Sequence, residues 1–175
     1  MSASATSPGR LLRLTLQIYT KKEKPLEEGE KFSREYLSKV AGIHARNGIE
    51  IYQMVYTPAP FREALDGMNR RNKRGWVIDD HDITVEFYFR SFAELTRVNQ
   101  DPEFQALQAA EGPYVNLVHT VAALGWVEKY VDGGRIVHLG ADGKSTYPPW
   151  AELRDISTAL PPAQAQAEDV ESAPA

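Results

Sequence analysis

Four short segments of the chain alternate apolar and polar residues, and this alternation restricts the fold more than any other feature of the sequence. The clearest is residues 82–90, DITVEFYFR, in which every second residue from Ile83 to Phe89 is apolar. Successive side chains of a strand point to opposite faces, so each such segment predicts a strand with one face on a core. The other three predicted strands are residues 11–19, 49–57 and 121–131.

Helical spacing separates these strands at two places. Apolar residues recur every three or four positions within residues 32–43, and Gly48 predicts the end of that helix. Ser91 predicts the start of a second helical stretch, and Asp101 predicts a further helix start within it. The order strand, helix, strand, strand, helix, strand predicts an α+β fold of the ferredoxin-like βαββαβ type.

The sequence divides into three parts. Residues 10–140 contain all the predicted strands and helices and form the predicted domain, with a loop and a short helix expected in the basic residues 60–74. Residues 1–9 are rich in serine and alanine and predict a flexible N-terminus. Residues 141–175 become rich in Pro, Ala, Gln and Glu, so an extended, partly disordered tail is expected there.

Composition and charge disfavour several functional classes. The chain has no cysteine, so it forms neither a disulfide nor a thiolate metal site. Its four histidines lack ligand spacing and it carries no phosphate loop or dinucleotide fingerprint, so we expect no metal and no cofactor. The net charge of -4 disfavours a nucleic-acid partner, and no apolar run approaches the roughly 18 residues of a membrane span. With no signal-like N-terminus, a cytoplasmic protein is expected.

The strand faces opposite the predicted core are rich in aromatic and polar side chains. A face that simply meets water seldom carries so many aromatic residues, so a second copy of the sheet is expected to cover it. The sequence therefore predicts a homodimer with a small-molecule cavity between the two sheets. The residues assigned to this face are Arg13, Thr15, Gln17, Tyr19, Tyr52, Met54, Tyr56, Thr84, Glu86, Tyr88, Leu124, Trp126, Glu128 and Tyr130.

Several of these residues have two interpretations. Glu86 is either a buried carboxylate paired with Arg13 or Arg90, or a general acid or base whose pKa is raised by burial. Tyr52 and Tyr56 either pack in the sheet or hydrogen-bond the carbonyl or enolate oxygen of a substrate.

The strand entry and the first helix add further candidates. Asp82 either meets solvent at the strand entry or belongs to the site, and His81 begins on the opposite face. Tyr36 either packs in the core or contacts the substrate. His44 is predicted to lie on the surface of the first helix, and His119 precedes the last strand, where it could reach a pocket mouth.

Five segments in this order carry a family resemblance: LTLQIYTKK, NGIEIYQMVYTP, DHDITVEFYF, SFAELTRVNQDPEFQAL and WVEKYVDGGRIV. Over residues 10–138 the chain resembles EthD-type members of the dimeric α/β-barrel superfamily. The Lys-Lys turn and the Gly-Gly pair are most similar to fungal members that sit beside polyketide synthases. Several such relatives are cofactor-free decarboxylases of aromatic polyketide acids, and others in the superfamily are cyclases, isomerases, monooxygenases or dehydratases.

The chain departs from the family pattern at two histidines. Family members commonly carry one histidine on the first helix and one near the end of the second strand, and these positions correspond to Tyr36 and Tyr56 here. The acidic residues of the third strand are retained as Asp82 and Glu86. A mechanism that depends on the two family histidines therefore needs other residues in this chain.

The resemblance implies a cofactor-free lyase that acts on an aromatic, polyketide-derived intermediate, by decarboxylation of a β-keto acid. Tyr52 and Tyr56 are expected to bind the enolate oxygen, Glu86 to transfer a proton, and Arg13 or Arg90 to bind the carboxylate. A cyclase, a dehydratase, a pericyclase or a non-catalytic carrier are the alternatives. The residues assigned to catalysis are Tyr52, Tyr56, His81, Asp82 and Glu86, and those assigned to substrate binding are Arg13, Tyr36, Tyr88, Arg90 and Trp126.

Overall fold

The structure is a computed structural model that describes residues 10–21, 26–116, 118–149 and 151. Its elements follow one another as four long strands with helices between them, and a short hairpin follows the last long strand. Their bounds are β1 Leu11–Ile18, α1 Leu26–Arg46, β2 Ile51–Tyr56, α2 Ala59–Arg71, β3 Ile83–Phe89, α3 Phe92–Gln100, α4 Pro102–Glu111, β4 Val121–Val127, β5 Val131–Asp132 and β6 Arg135–Ile136.

The four long strands form one antiparallel sheet in the order β2-β3-β1-β4. This is the ferredoxin-like arrangement, and the predicted α+β fold class is confirmed. The basic segment after β2 forms a longer helix, α2, than the short one predicted there. The short strand β6 pairs only with β5, in a hairpin separate from the main sheet.

Local sequence signals fix the helix ends. The backbone N–H and hydroxyl of Ser91 donate to Glu94 at the start of α3, while the Ser91 hydroxyl accepts from the Ala93 N–H. Asp101 caps α4 by accepting from the Glu103 N–H at 3.0 Å and also accepts from Arg46. This pair of contacts ties the end of α1 to the start of α4. Gly48 has a φ of 91°, a left-handed conformation that ends α1 as predicted.

The main core lies between the sheet and the helices. Its buried centre consists of Leu12, Ile49, Phe89 and Val98, each 7% exposed or less. The Phe89 ring meets Phe92 edge-on, with the centroids 5.9 Å apart. Because these residues come from β1, β3, α3 and the approach to β2, the core joins the two central strands to the helical layer.

Strand register corrects part of the predicted face assignment. Directly opposed residues share a face, and Tyr52 is opposite Phe87 while Tyr56 is opposite Ile83. These two tyrosines, with Met54 between them, therefore lie on the face that packs against the helices, which we call the helix-side face. The same holds for Leu124 and Trp126, which are opposite Leu14 and Leu12, and Glu128 and Tyr130 lie beyond the end of β4.

The opposite face of the sheet, which we call the outer face, carries the other predicted residues of β1 and β3. The register pairs Arg13 with Tyr88 and Thr15 with Glu86. On β2 it carries Ile51, Gln53 and Val55, not the tyrosines. The error in β2 arose because both of its alternate faces contain apolar and polar atoms, so local alternation could not orient it.

Residues that follow the hairpin pack back on the start of the domain. The Arg10 guanidinium donates to the Pro148 carbonyl and to the Glu128 carboxylate, and it lies 5.2 Å from the centre of the Tyr147 ring. The predicted flexible residues 1–9 and most of the predicted tail lie outside the described residues. A search of the described part of the chain found no helix with the length and apolar character needed to cross a membrane.

Candidate functional site

A cavity of about 160 Å³ lies between the helix-side face of the sheet and the helices α1 and α4. We call it the helix–sheet cavity. Its walls are mostly aliphatic and aromatic side chains from β1, β2, β3 and the two helices. The polar residues that line it are Thr20, Tyr36, His44, Tyr52, Gln108, Glu111 and Tyr114. An apolar pocket with a few polar groups is the usual form of a small-molecule site.

His44 is the central polar residue of this cavity. Its side chain is almost fully buried, and its ring centroid lies 4.6 Å from that of Tyr52 and 5.1 Å from that of Phe87. Burial lowers the pKa of His44 to about 4, so the imidazole is neutral at physiological pH. Among the described residues, its buried Nδ1 has no hydrogen-bond partner.

The prediction that His44 lies on the helix surface is wrong. Tyr36, Val40 and His44 are spaced four residues apart on α1, and all three line the helix–sheet cavity. The sequence contained this signal, because Tyr36 and Val40 belong to the apolar spacing found within residues 32–43. A histidine at the next position of the same stripe should have been placed inside.

The pKa values of Tyr52 and Glu111, two further residues of the cavity, are both shifted toward the uncharged form. Burial, with the nearby Glu111 as a smaller cause, raises the pKa of Tyr52 to about 12. Burial also raises the pKa of Glu111 above its ordinary value. Both shifts, like that of His44, favour the uncharged form, so the cavity presents a phenol, an imidazole and a carboxyl group among apolar walls. Neutral hydrogen-bond donors in such surroundings can stabilise charge that develops on a substrate oxygen.

The predicted outer-face residues form a separate network. Glu86 accepts from Gln53 and from the Tyr88 hydroxyl at 3.1 Å, and its carboxylate lies 3.4 Å from the Arg13 guanidinium. Of the two interpretations of Glu86, the structure shows the paired carboxylate. Arg90 pairs with Glu50 instead. None of these groups reaches the helix–sheet cavity, and Trp126 packs against the main core.

Asp82 and His81 lie at the strand ends, and Asp82 lines an open basin of about 840 Å³ together with His119. The carboxylate of Asp82 accepts from the Thr20 N–H at 2.8 Å and from its hydroxyl at 2.7 Å. His81 Nε2 lies 2.7 Å from the Thr84 hydroxyl. The basin is open and charged, in contrast to the helix–sheet cavity.

A third pocket, of about 270 Å³, adjoins the helix–sheet cavity and shares Thr20 and Ile83 with it. We call it the outer pocket. Tyr56 and Asp82 line it, together with Arg34. The predicted site residues are thus dispersed. Tyr36 and Tyr52 line the helix–sheet cavity, Tyr56 and Asp82 line the outer pocket, and the remainder lie on the outer face, at the strand ends or in the core. His44, Glu111 and Tyr114 were missed.

The described residues contain no group of three or more His, Asp or Glu side chains that could hold a metal ion. Glu111 and Tyr114 could not be recognised from the sequence, because nothing local to α4 shows that its C-terminal end closes a cavity against β2.

Comparison with known proteins identifies a family and a relative that matches most of the chain. The EthD domain matches residues 27–117 of the chain. A protein of Aspergillus terreus (strain NIH 2624 / FGSC A1156), named "Putative oxygenase", is 39% identical over 145 residues, which cover 82% of this chain and 91% of that protein.

Solved structures show more distant similarity. A dimeric ferredoxin-like protein from Thermobifida fusca YX has a TM-score of 0.48 at 13% identity, with 73% of this chain and 100% of that chain covered. SnoaB of Streptomyces nogalater, a cofactor-independent oxygenase, has a TM-score of 0.39 at 9% identity, with 72% of this chain and 97% of that chain covered.

Proposed function

The chain belongs to the EthD domain family, and from this premise we propose that it is a cofactor-independent enzyme of secondary metabolism that acts on an aromatic, polyketide-derived substrate in the helix–sheet cavity. The observation that carries the proposal is the buried, unpartnered Nδ1 of His44 beside Tyr52. An unpaired buried polar atom costs about 1–3 kcal/mol, and a substrate oxygen in the cavity would remove that cost.

The proposed chemistry runs through an enol or enolate of the bound substrate. Tyr52 and the neutral His44 donate hydrogen bonds to the substrate carbonyl oxygen and stabilise the negative charge that develops on it. Glu111, whose raised pKa favours the protonated form, carries a proton to or from the reacting carbon. The apolar walls exclude water, which strengthens each of these hydrogen bonds.

Decarboxylation of a β-keto acid is the first candidate reaction. An apolar cavity favours the uncharged acid, whose carboxyl proton can pass to its own ketone oxygen. The bond between the carboxyl carbon and its neighbour then breaks, carbon dioxide leaves, and the enol that remains is protonated on carbon. No arginine is needed for this route. Arg13 and Arg90 therefore have no role in it, since they pair with Glu86 and Glu50 outside the cavity.

Oxygenation is the second candidate, and the description of the Aspergillus terreus relative as an oxygenase favours it. The same enolate would transfer electrons to dioxygen as co-substrate and form a carbon–oxygen bond. Loss of water from the resulting hydroperoxide then converts a CH₂ group to a carbonyl. A dehydratase or cyclase would use the same enolate with a different second step.

Incubation of the purified protein with an aromatic β-keto acid and with the corresponding anthrone, without added cofactor, separates these reactions by mass spectrometry. Loss of carbon dioxide supports the lyase, and gain of one oxygen with loss of two hydrogens, only in the presence of dioxygen, supports the oxygenase. His44→Phe should lose the activity in either case. Substrate that binds tightly and returns unchanged would contradict the proposal and indicate a carrier.

We also propose that two copies pair through their outer faces, as in a dimeric α/β barrel. On this face Ile51 and Val55 of β2 and Val121 of β4 are 38%, 47% and 50% exposed, so both edge strands present aliphatic side chains to solvent. The half-buried Arg13–Glu86 pair lies on the two central strands between them. A second sheet would remove these apolar groups from water.

Light scattering is expected to give twice the mass of the chain at micromolar concentration. Val55→Glu should convert the protein to a monomer, because it places a charge within the apolar part of the interface. Val118→Glu is the matched control, since Val118 is 88% exposed and lies outside the sheet. A wild-type monomer would contradict the pairing.

A further inference from the structure

The helix–sheet cavity and the outer pocket are neighbours of different chemistry. The walls they share are Thr20 and Ile83, so a ligand that extends past these two residues occupies both. Beyond that boundary the outer pocket is lined by Arg34, Glu30 and Tyr56. The apolar end of a ligand therefore belongs in the helix–sheet cavity, and a polar end belongs in the outer pocket.

The volume of the helix–sheet cavity restricts what it can hold. An apolar protein cavity of about 150 Å³ accommodates a benzene molecule. At about 160 Å³, the helix–sheet cavity accommodates one aromatic ring. The aromatic side chains of Tyr52, Phe87 and Phe104 surround that space, together with the ring of His44. A fused three-ring substrate exceeds this volume.

The distance between Tyr52 and Tyr56 along β2 gives the length of a ligand that contacts both. Tyr52 and Tyr56 lie on the same helix-side face, four residues apart, which corresponds to about 13 Å along a strand. Tyr52 lines the helix–sheet cavity and Tyr56 lines the outer pocket. A ligand that contacts both tyrosines therefore needs one ring and a short chain that extends from it.

Arg34 is the cation of the outer pocket, whose lining also includes the carboxylates of Glu30 and Asp82. Its guanidinium Nε donates to the Glu30 carboxylate at 2.7 Å, one turn earlier on α1. The Arg34 and Glu30 side chains are 65% and 48% exposed, and ion pairs this accessible to water are weak. The Arg34 cation can therefore exchange Glu30 for a ligand carboxylate. The Asp82 carboxylate in the same pocket already accepts two hydrogen bonds from Thr20.

We propose that the substrate has a single aromatic ring, bound in the helix–sheet cavity, and an acidic arm that binds Arg34 in the outer pocket. This inference rests on the proposed function, since it takes the reacting carbonyl to lie at His44 and Tyr52. The acidic arm positions the ring and is retained in the product. The reacting end of the substrate thus contacts His44 and Tyr52, and its anchoring end contacts the Arg34 cation.

Calorimetric titration with three probes tests this proposal. They are a single-ring hydroxyaryl ketone with a short chain that ends in a carboxylate, the methyl ester of that acid, and a three-ring anthrone. The acid should bind roughly 2- to 5-fold more tightly than its ester, since an exposed charge-assisted contact to arginine is lost in the ester. Equal affinity of acid and ester, or tighter binding of the anthrone, would overturn the proposal.

Arg34→Gln should abolish the preference for the acid and leave the affinity for the ester unchanged. Arg70→Gln is the matched control, because Arg70 forms a similar exposed pair with Asp66 on α2, at 2.9 Å. In turnover assays, Arg34→Gln should raise KM for the acid without lowering kcat, since the arm does not react.

The two proposals fail in distinguishable ways. Binding that depends on ring size and on Arg34, without any turnover, would reject the enzyme and retain this ligand class. Turnover of an anthrone that is insensitive to Arg34→Gln would retain the enzyme and reject the single-ring substrate with its acidic arm.

Discussion

Tyr52→Phe is expected to lower turnover by about 10²–10³-fold, the effect of removing one hydrogen-bond donor from a developing oxyanion. The substitution deletes only the hydroxyl and keeps the ring against His44 and Phe87, whose centroids lie 4.6 and 5.4 Å from its own. The main loss should therefore appear in kcat, with a smaller change in KM. Steady-state kinetics on the substrate found by mass spectrometry measure both.

Tyr88→Phe makes the same chemical change on the other side of the sheet. The Tyr88 hydroxyl donates to Glu86 on the outer face, where the sequence had placed the catalytic groups. Turnover should stay within a few-fold of the wild type. If Tyr88→Phe lost activity and Tyr52→Phe did not, the site would lie on the outer face and the helix–sheet cavity would not be the reaction centre.

The fold could be predicted from sequence because its signals are local and consistent. Alternation located all four strands, Gly48 marked the end of α1, and Ser91 and Asp101 marked the starts of α3 and α4. The order of these elements is compatible with few arrangements of the strands in a sheet. The orientations of β2 and β4 were the exceptions. IYQMVY can present either its tyrosines or its isoleucine and valine to the helices, and only pairing with the neighbouring strand decides which face is which.

The site depends on contacts between distant parts of the chain, so the sequence predicted less of it. The pairing of Glu86 with Arg13 was foreseen as one alternative, because both lie on central strands with matching alternation. Glu111 enters the cavity from the end of α4, far in sequence from Tyr52. The position of Glu111 in the cavity depends on how α4 packs against the sheet, and no short sequence motif predicts that packing. Tyr52 remains a candidate for the role first assigned to it, though it now faces His44 and not Glu86.

Acid is expected to destabilise the protein through His44. The pKa of this imidazole is lowered from 6.5 to about 4 by burial, so between these values the unfolded chain binds a proton that the folded chain does not. The stability contributed by neutral His44 is therefore complete above pH 6.5 and is lost as the pH falls to about 4. The loss amounts to about 3 kcal/mol at most. Urea unfolding at a series of pH values measures it.

Glu111 opposes this trend, and two variants separate the contributions. Its pKa is raised by burial, so its stabilising effect is present at low pH and is lost as the pH rises above the ordinary carboxyl value. Tyr36, Tyr52 and Tyr114 are the other titratable residues that line the cavity, and the raised pKa of Tyr52, about 12, keeps that phenol uncharged in acid. His44→Phe should therefore remove the destabilisation between pH 6.5 and 4, whereas Glu111→Gln should make it steeper.

The comparison of the wild type with His44→Phe also tests whether the cavity keeps the His44 ring away from water. If His44→Phe leaves the acid dependence of unfolding unchanged, then His44 titrates in the folded protein as it does in the unfolded chain, and its ring must be solvated. A solvated ring would not have the buried, unpartnered Nδ1 on which the proposed site depends. The equilibrium unfolding experiment, which needs no substrate, can therefore reject the mechanism before any activity is found.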